Sequence, residues 1–87
     1  MVTVFIPPLL RSSTDGQSCV PVDGATVRQV VRELERVHPG IAARLCDGER
    51  LKPGLAVSVN GTVSSLGLMQ TVPAGAELHF LTAIGGG

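Results

Sequence analysis

The chain is 87 residues long, enough for one small domain spanning residues 1–87. Seven Lys and Arg balance seven Asp and Glu, and the pI is near 6.7, which argues against nucleic acid as the main partner because phosphate binding is driven by Lys and Arg. A hydrophobic share of 44% against 16% charged excludes a disordered chain. Mean hydropathy is +0.35, high for a small soluble domain. No apolar run reaches the length of a membrane span, and no basic-then-apolar leader opens the chain. A soluble, cytoplasmic protein with no membrane partner is expected.

In chain order, residues 1–6 alternate: Val2, Val4 and Ile6 point one way, Thr3 and Phe5 the other, the pattern of a one-sided strand. Pro7 and Pro8 end its ladder because neither has a backbone N–H to donate. Leu9, Leu10 and Arg11 form a shoulder, and residues 12–16 (Ser-Ser-Thr-Asp-Gly) read as a turn. Residues 17–22 predict a weak strand, and Pro21 within it predicts an edge position. Thr26 with Gln29 three positions on matches a capping box. Val27, Val30, Val31, Leu34 and Val37 then repeat at the spacing of one buried helical stripe. Arg28, Arg32 and Arg36 form a like-charge row on the wet face, offset by Arg32–Glu35 and Glu33–Arg36 pairs. Pro39-Gly40 stops the helix.

Residues 41–45 suggest a short helical turn, and residues 47–54 a polar loop. Leu55, Val57 and Val59 predict another strand. Asn60-Gly61 is the strongest short hairpin signal in the chain, with Thr62 and Val63 as a brief return. Residues 64–71 read as irregular, and Pro73-Ala74-Gly75 as a turn. Residues 76–81 predict the last strand, with Leu78 and Phe80 on one face and Glu77, His79 and Leu81 on the other. The order strand, strand, helix, strand, short strand, strand belongs to the α+β class. It is the order of a β-grasp domain: a mixed sheet of four to five strands, one main helix across one face, and the first and last strands paired at the centre.

Candidate chemical groups are few. Cys19 and Cys46 form no C-x-x-C pair and read as small, partly buried hydrophobes. A reactive thiol at Cys46, close to Asp47 and Arg50, is the alternative. Glu35 and His38 lie three residues apart, far short of a metal site, so no metal is expected. Both His38 and His79 read as ordinary surface or strand-end histidines.

Eleven glycines include three consecutive ones at the end: Gly85, Gly86 and Gly87. A flexible terminus or a linker is one explanation. The other starts from context, since the apolar strand runs almost directly into the glycines. Glycine lets a backbone enter a narrow channel, and the residues from Leu81 to Gly87 reach on the order of 23 Å when extended. With the α-carboxylate of Gly87 free, this tail (residues 82–87) would carry it into a partner's active site. Adenylation there would supply a good leaving group. Attack by sulfide or a persulfide would give a thiocarboxylate, and attack by an amine would give an amide.

The sequence resembles the ubiquitin-like sulfur carriers: the molybdopterin synthase small subunit, the thiamine-pathway carrier and the carrier that serves a dedicated cysteine synthase. The likeness covers the whole chain. It is carried by Ile6-Pro7-Pro8-Leu9-Leu10-Arg11, the capped helix with His38-Pro39-Gly40-Ile41, Val57-Ser58-Val59-Asn60-Gly61, and the closing run from Gly75 to Gly87. The first of these pieces, and the length, are most similar to the cysteine-synthase-associated carriers of actinobacteria. Thr82-Ala83 stands where the molybdopterin subunit usually has prolines.

The resemblance implies a ubiquitin-like β-grasp fold and a protein that is a co-substrate rather than an enzyme. Gly87 is implied to be adenylated and thiocarboxylated, with Gly85, Gly86 and Gly87 threading into the partner. Phe80, Leu81 and Ile84 are implied to contact it, although Phe80 reads first as core, and Ile84, beyond the strand, less so. The implied partners are a ubiquitin-activating-type adenylating enzyme, which uses the ATP, and a sulfur-accepting synthase; no cofactor is bound by the chain itself. A ubiquitin-like modifier conjugated to target lysines is the alternative, and a β-grasp interaction domain with incidental glycines the third reading.

Overall fold

The computed structural model describes residues 1–63 and 66–82, with Thr82 described by its backbone alone. β1 (Val2–Phe5) buries Val2 and Val4, and Ile6 continues the buried row past its end. The expected shoulder and turn after it are instead a 3₁₀ helix over Pro8–Thr14. Pro8 has no N–H to leave unsatisfied at a helix start, and its fixed φ suits the first turn. Leu10 and Thr14 are buried beneath this helix, and the Thr14 hydroxyl is within hydrogen-bond distance of the carbonyls of Arg11 (3.2 Å) and Gln17 (2.9 Å). β2 (Cys19–Val22) returns antiparallel to β1, with Val4 opposite Val20.

α1 (Val27–Val37) begins at Thr26, whose hydroxyl accepts from the Gln29 N–H at 3.2 Å. The Gln29 side chain closes the box one residue further back than expected, on the Ala25 N–H at 2.8 Å. Val27, Val30, Val31 and Leu34 are buried, but Val37 is 46% exposed, so the stripe ends one turn early. The pairing of the wet face also differs from expectation. Glu33–Arg36 forms, but Arg28 pairs with Glu49 and Glu35 turns away from Arg32. The Glu35 carboxylate accepts from the Gly40 N–H (2.9 and 3.1 Å) and the Ala42 N–H (2.9 Å), tying α1 to α2 (Ile41–Leu45).

The expected loop over residues 47–54 holds a small ribbon, β3 (Cys46–Asp47) paired with β4 (Arg50–Leu51). Its two-residue turn puts Gly48 first, at φ 67°, as a type II′ hairpin requires. β5 (Leu55–Val59) and β6 (Thr62–Val63) are joined by Asn60-Gly61, both at positive φ (50° and 85°), which is the type I′ turn the dipeptide predicted. A short 3₁₀ turn over Gly67–Met69 lies in the stretch read as irregular, and β7 (Glu77–Thr82) ends the described chain.

The five-stranded sheet has the order β2-β1-β7-β5-β6. Only β1 and β7 run parallel; the other pairings are antiparallel. The first and last strands therefore meet inside the sheet, β2 is an edge as Pro21 foretold, and the mixed sheet with one main helix matches the expected β-grasp class. The core joins the inner faces of β1, β2, β5 and β7 to α1, α2 and the two 3₁₀ turns, with Leu34, Ile41, Leu45 and Leu78 fully buried. No helix among the described residues is long and apolar enough to cross a membrane.

Two contacts in this packing are open to test. A Cβ on Gly24 would lie 2.7 Å from Val30 Cγ2 and 2.9 Å from the Val30 backbone nitrogen. Gly24→Ala should therefore push the loop off the first turn of α1 and cost about 1–3 kcal/mol, read from the urea midpoint; an unchanged midpoint would show that the loop re-seats freely. The backbone N–H groups of Gly40 and Ala42 hold the Glu35 carboxyl below the usual carboxylate range. The stability this adds is present above the unfolded carboxyl's pKa and fades as the pH falls through the lower folded value. Glu35→Gln should flatten that part of the acid-unfolding curve while leaving its other parts in place.

Candidate functional site

Parallel pairing puts the C-terminal ends of β1 and β7 at the same end of the sheet. The chain leaves β7 there, beside the proline pair and the 3₁₀ helix that come after β1. An open groove of about 530 Å³ lies at this corner, walled by Pro7, Pro8 and Arg11 on one side and His79 and Leu81 on the other. On the sheet face away from α1, Phe5 stands opposite His79 in the register, and their rings stack with centroids 4.2 Å apart and planes 2° from parallel. The two rings thus stand face to face on neighbouring strands, and both line the groove.

The expected site residues separate. Leu81 is 42% exposed at the groove. Phe80, expected also as a partner contact, is only 3% exposed: alternation turns it into the core beside Leu78, and it belongs to the groove's lining without standing free of it. Ile84, Gly85, Gly86 and Gly87 lie outside the described residues. The Phe5–His79 stack, the Pro7-Pro8 wall and Arg11 were not singled out as site residues from the sequence. Pro7, Pro8 and Arg11 were marked only as part of the motif that carries the resemblance, and Phe5 and His79 only as outward positions of two one-sided strands; which residue faces which depends on a register that pattern alone does not supply.

The remaining candidate groups offer no assembled chemistry. Cys19, expected to be partly buried, is exposed on the outer face of the edge strand. Cys46 is partly buried as expected, and burial pushes its thiol up against a smaller opposing pull from Arg28, the reverse of what a reactive thiolate needs. His38 is bonded to Gln17, with Nε2 3.1 Å from Oε1. Among the described residues no hydrogen bond joins a histidine to a serine or cysteine, and no three His, Cys, Asp or Glu converge on a metal position. The corner offers a surface instead: apolar and aromatic, at the point where the chain departs.

Residues 6–87 match the ThiS family. The chain is 34% identical over 93 residues to the sulfur carrier protein CysO of Mycobacterium tuberculosis, covering 99% of this chain and 98% of that protein. It superposes with a TM-score of 0.91 on a chain in the crystal structure of the Amycolatopsis orientalis BexX/CysO complex, at 40% identity and with 100% of both chains covered. A TM-score of 0.70 relates it to SAMP1 of Haloferax volcanii at 26% identity, covering 99% of this chain and 98% of that one.

The contrast between neighbours on β7 is testable. Phe80→Ala should cost about 3–5 kcal/mol of stability, as a core aromatic truncation does, whereas Leu81→Ala should change it by no more than about 0.5 kcal/mol. Denaturant unfolding of the two variants reads both; equal losses would show that the two residues do not divide core from surface as described.

Proposed function

The chain belongs to the ThiS family, and from that premise we propose that it is a sulfur carrier protein whose reacting atom is the carboxyl carbon of Gly87. The protein is a small carrier rather than a catalyst. The observation that carries this reading is the whole-length likeness to CysO together with the Gly85-Gly86-Gly87 terminus in this sequence.

The chemistry runs in two steps. A partner adenylates the terminal carboxylate: a carboxylate oxygen attacks the α-phosphorus of ATP, a mixed acyl–phosphate anhydride forms, and pyrophosphate leaves. Sulfide then attacks the acyl carbon, the anhydride C–O bond breaks, and AMP departs with its electron pair, leaving a terminal thiocarboxylate. The thiocarboxylate sulfur is a strong nucleophile that a synthase can use. Catalysis belongs to the adenylating enzyme and to the accepting synthase, and the CysO likeness favours a cysteine-forming acceptor. Gly85, Gly86 and Gly87 suit a narrow active-site channel because no side chain widens the backbone. In this reading Leu81, exposed at the groove, and Ile84 contact the partner. The ATP is consumed by the partner and is not a resident cofactor of this chain.

The SAMP1 likeness favours one competing outcome, in which the acyl-adenylate is captured by a lysine of a target protein. Intact mass distinguishes the two. The chain, incubated with ATP, sulfide and the adenylating enzyme of its own genome, should gain the mass of one oxygen-to-sulfur exchange, confined to Gly87. Lysine-linked conjugates would favour the modifier, and no change with an active adenylating enzyme would sink both. Deleting Gly87 should abolish the exchange and leave Tm unchanged, since the described core reaches only to Phe80.

A further inference from the structure

We propose that Arg11 is the residue that recognises the adenylating partner: its guanidinium takes a carboxylate presented by that enzyme, next to an apolar side chain lodged in the groove where β7 ends. This rests on the carrier reading above and names the chemistry of the surface that meets it.

Arg11 is held at both ends. Its Nε donates to the Ile6 carbonyl at 3.1 Å, while its own carbonyl accepts from the Gly16 N–H at 2.7 Å and lies 3.2 Å from the Thr14 hydroxyl. Buried Leu10 and Thr14 fix the 3₁₀ helix that carries it. The guanidinium is thus positioned before any partner arrives, which removes part of the ordering cost of binding. With Nε used, the two terminal nitrogens remain as a planar pair of donors, a geometry that matches a carboxylate. Among the described residues Arg11 makes no ion pair, as is also true of Arg32, Arg44 and Arg50; its tethered Nε and its place in the groove set it apart from them.

The groove supplies the complementary half. Its lining includes Arg11 but no Asp or Glu, and its walls are otherwise largely proline, aromatic and aliphatic. One fixed cation at the rim of an apolar groove fits an acidic residue flanked by an apolar one. A nucleotide phosphate is a poorer fit. Phosphate sites gather several donors or cations, and the adenylate forms at the far end of residues 83–87, which reach up to about 17 Å when extended.

The test uses steady-state thiocarboxylate formation with the adenylating enzyme of the same genome, ATP and sulfide, and the concentration of the carrier as the variable. Arg11→Met keeps the apolar stem and removes the charge; it should raise KM on the order of tenfold, as losing a charge-assisted hydrogen-bonded pair does, with kcat unchanged. Arg11→Glu should raise KM further, and Arg11→Lys should recover part of the loss. The wild-type KM should rise with salt, and the Arg11→Met value should rise less. Tm and far-UV circular dichroism of each variant separate recognition from folding. If Arg11→Met is unfolded, the Lys variant and the wild-type salt dependence decide. Wild-type KM in the folded variants overturns the proposal while leaving the carrier reading intact, as does a fall in kcat at constant KM. A wild type that is never converted overturns the carrier reading and this proposal with it.

Discussion

Pairing between the first strand and the last holds this molecule together. β7 lies between β1 and β5, so without it the sheet divides into two unconnected pairs. The contact joins segments separated by almost the whole chain, and closing so long a loop is an entropic cost that local interactions do not repay. Burial offsets it. Val4 and Leu78 face each other across the β1–β7 register, and both are completely buried. Each such side chain contributes roughly 1.5–3 kcal/mol of transfer free energy. α1 covers this junction with Val27, Val30, Val31 and Leu34, residues that are modest helix formers in the main and depend on the sheet to hold them helical.

The same pairing determines where function can be placed. Because β1 and β7 run in the same direction, the segment after β1 lies beside the end of β7. A proline pair and a 3₁₀ helix come after β1, rigid elements for a connection of that length. The run of residues ending in three glycines comes after β7. A stiff, partly apolar corner thus adjoins the end of β7, after which the sequence continues into the segment proposed to enter a partner. The carrier reading proposed above fits this division: the corner would meet the partner, and the reacting carboxyl carbon of Gly87 would be reached through three glycines. It also accounts for the poverty of catalytic groups. A protein that supplies an acyl carbon to another enzyme's site, as proposed here, needs no perturbed acid–base pair of its own, and burial raises the Cys46 thiol rather than activating it.

Much of this was legible in the residues. The capped amphipathic helix, the Asn60-Gly61 hairpin, the edge character of the Pro21 strand and the two-faced last strand all obey short-range rules, and each is found where those rules put it. The departures share a cause. Pro8–Thr14 reads as a shoulder and a turn because its composition is that of a loop, but Leu10 and Thr14 are drawn under it into the core and wind it into a 3₁₀ helix. Residues 47–54 read as a loop because their polarity hides a two-residue turn at Gly48. Val37 continues the helical stripe in the sequence, yet it is left exposed at the end of α1. Glu35 has a partner in Arg32 by spacing, but the backbone amides of the next turn hold its carboxylate instead.

Local residue patterns thus set α1, the five strands of the main sheet in their order, the buried faces of β1, β7 and α1, and the glycine terminus, because these depend on residues within a few positions of one another. Tertiary structure alone decided the registers across strands. They stack Phe5 on His79, bury Phe80 while exposing Leu81, leave Cys19 on an open edge, and bring Arg11 to the corner where β7 ends. The reason is physical: a side-chain pattern says which face of a strand is apolar, but which residue stands opposite it is settled only when distant segments compete to fill one core.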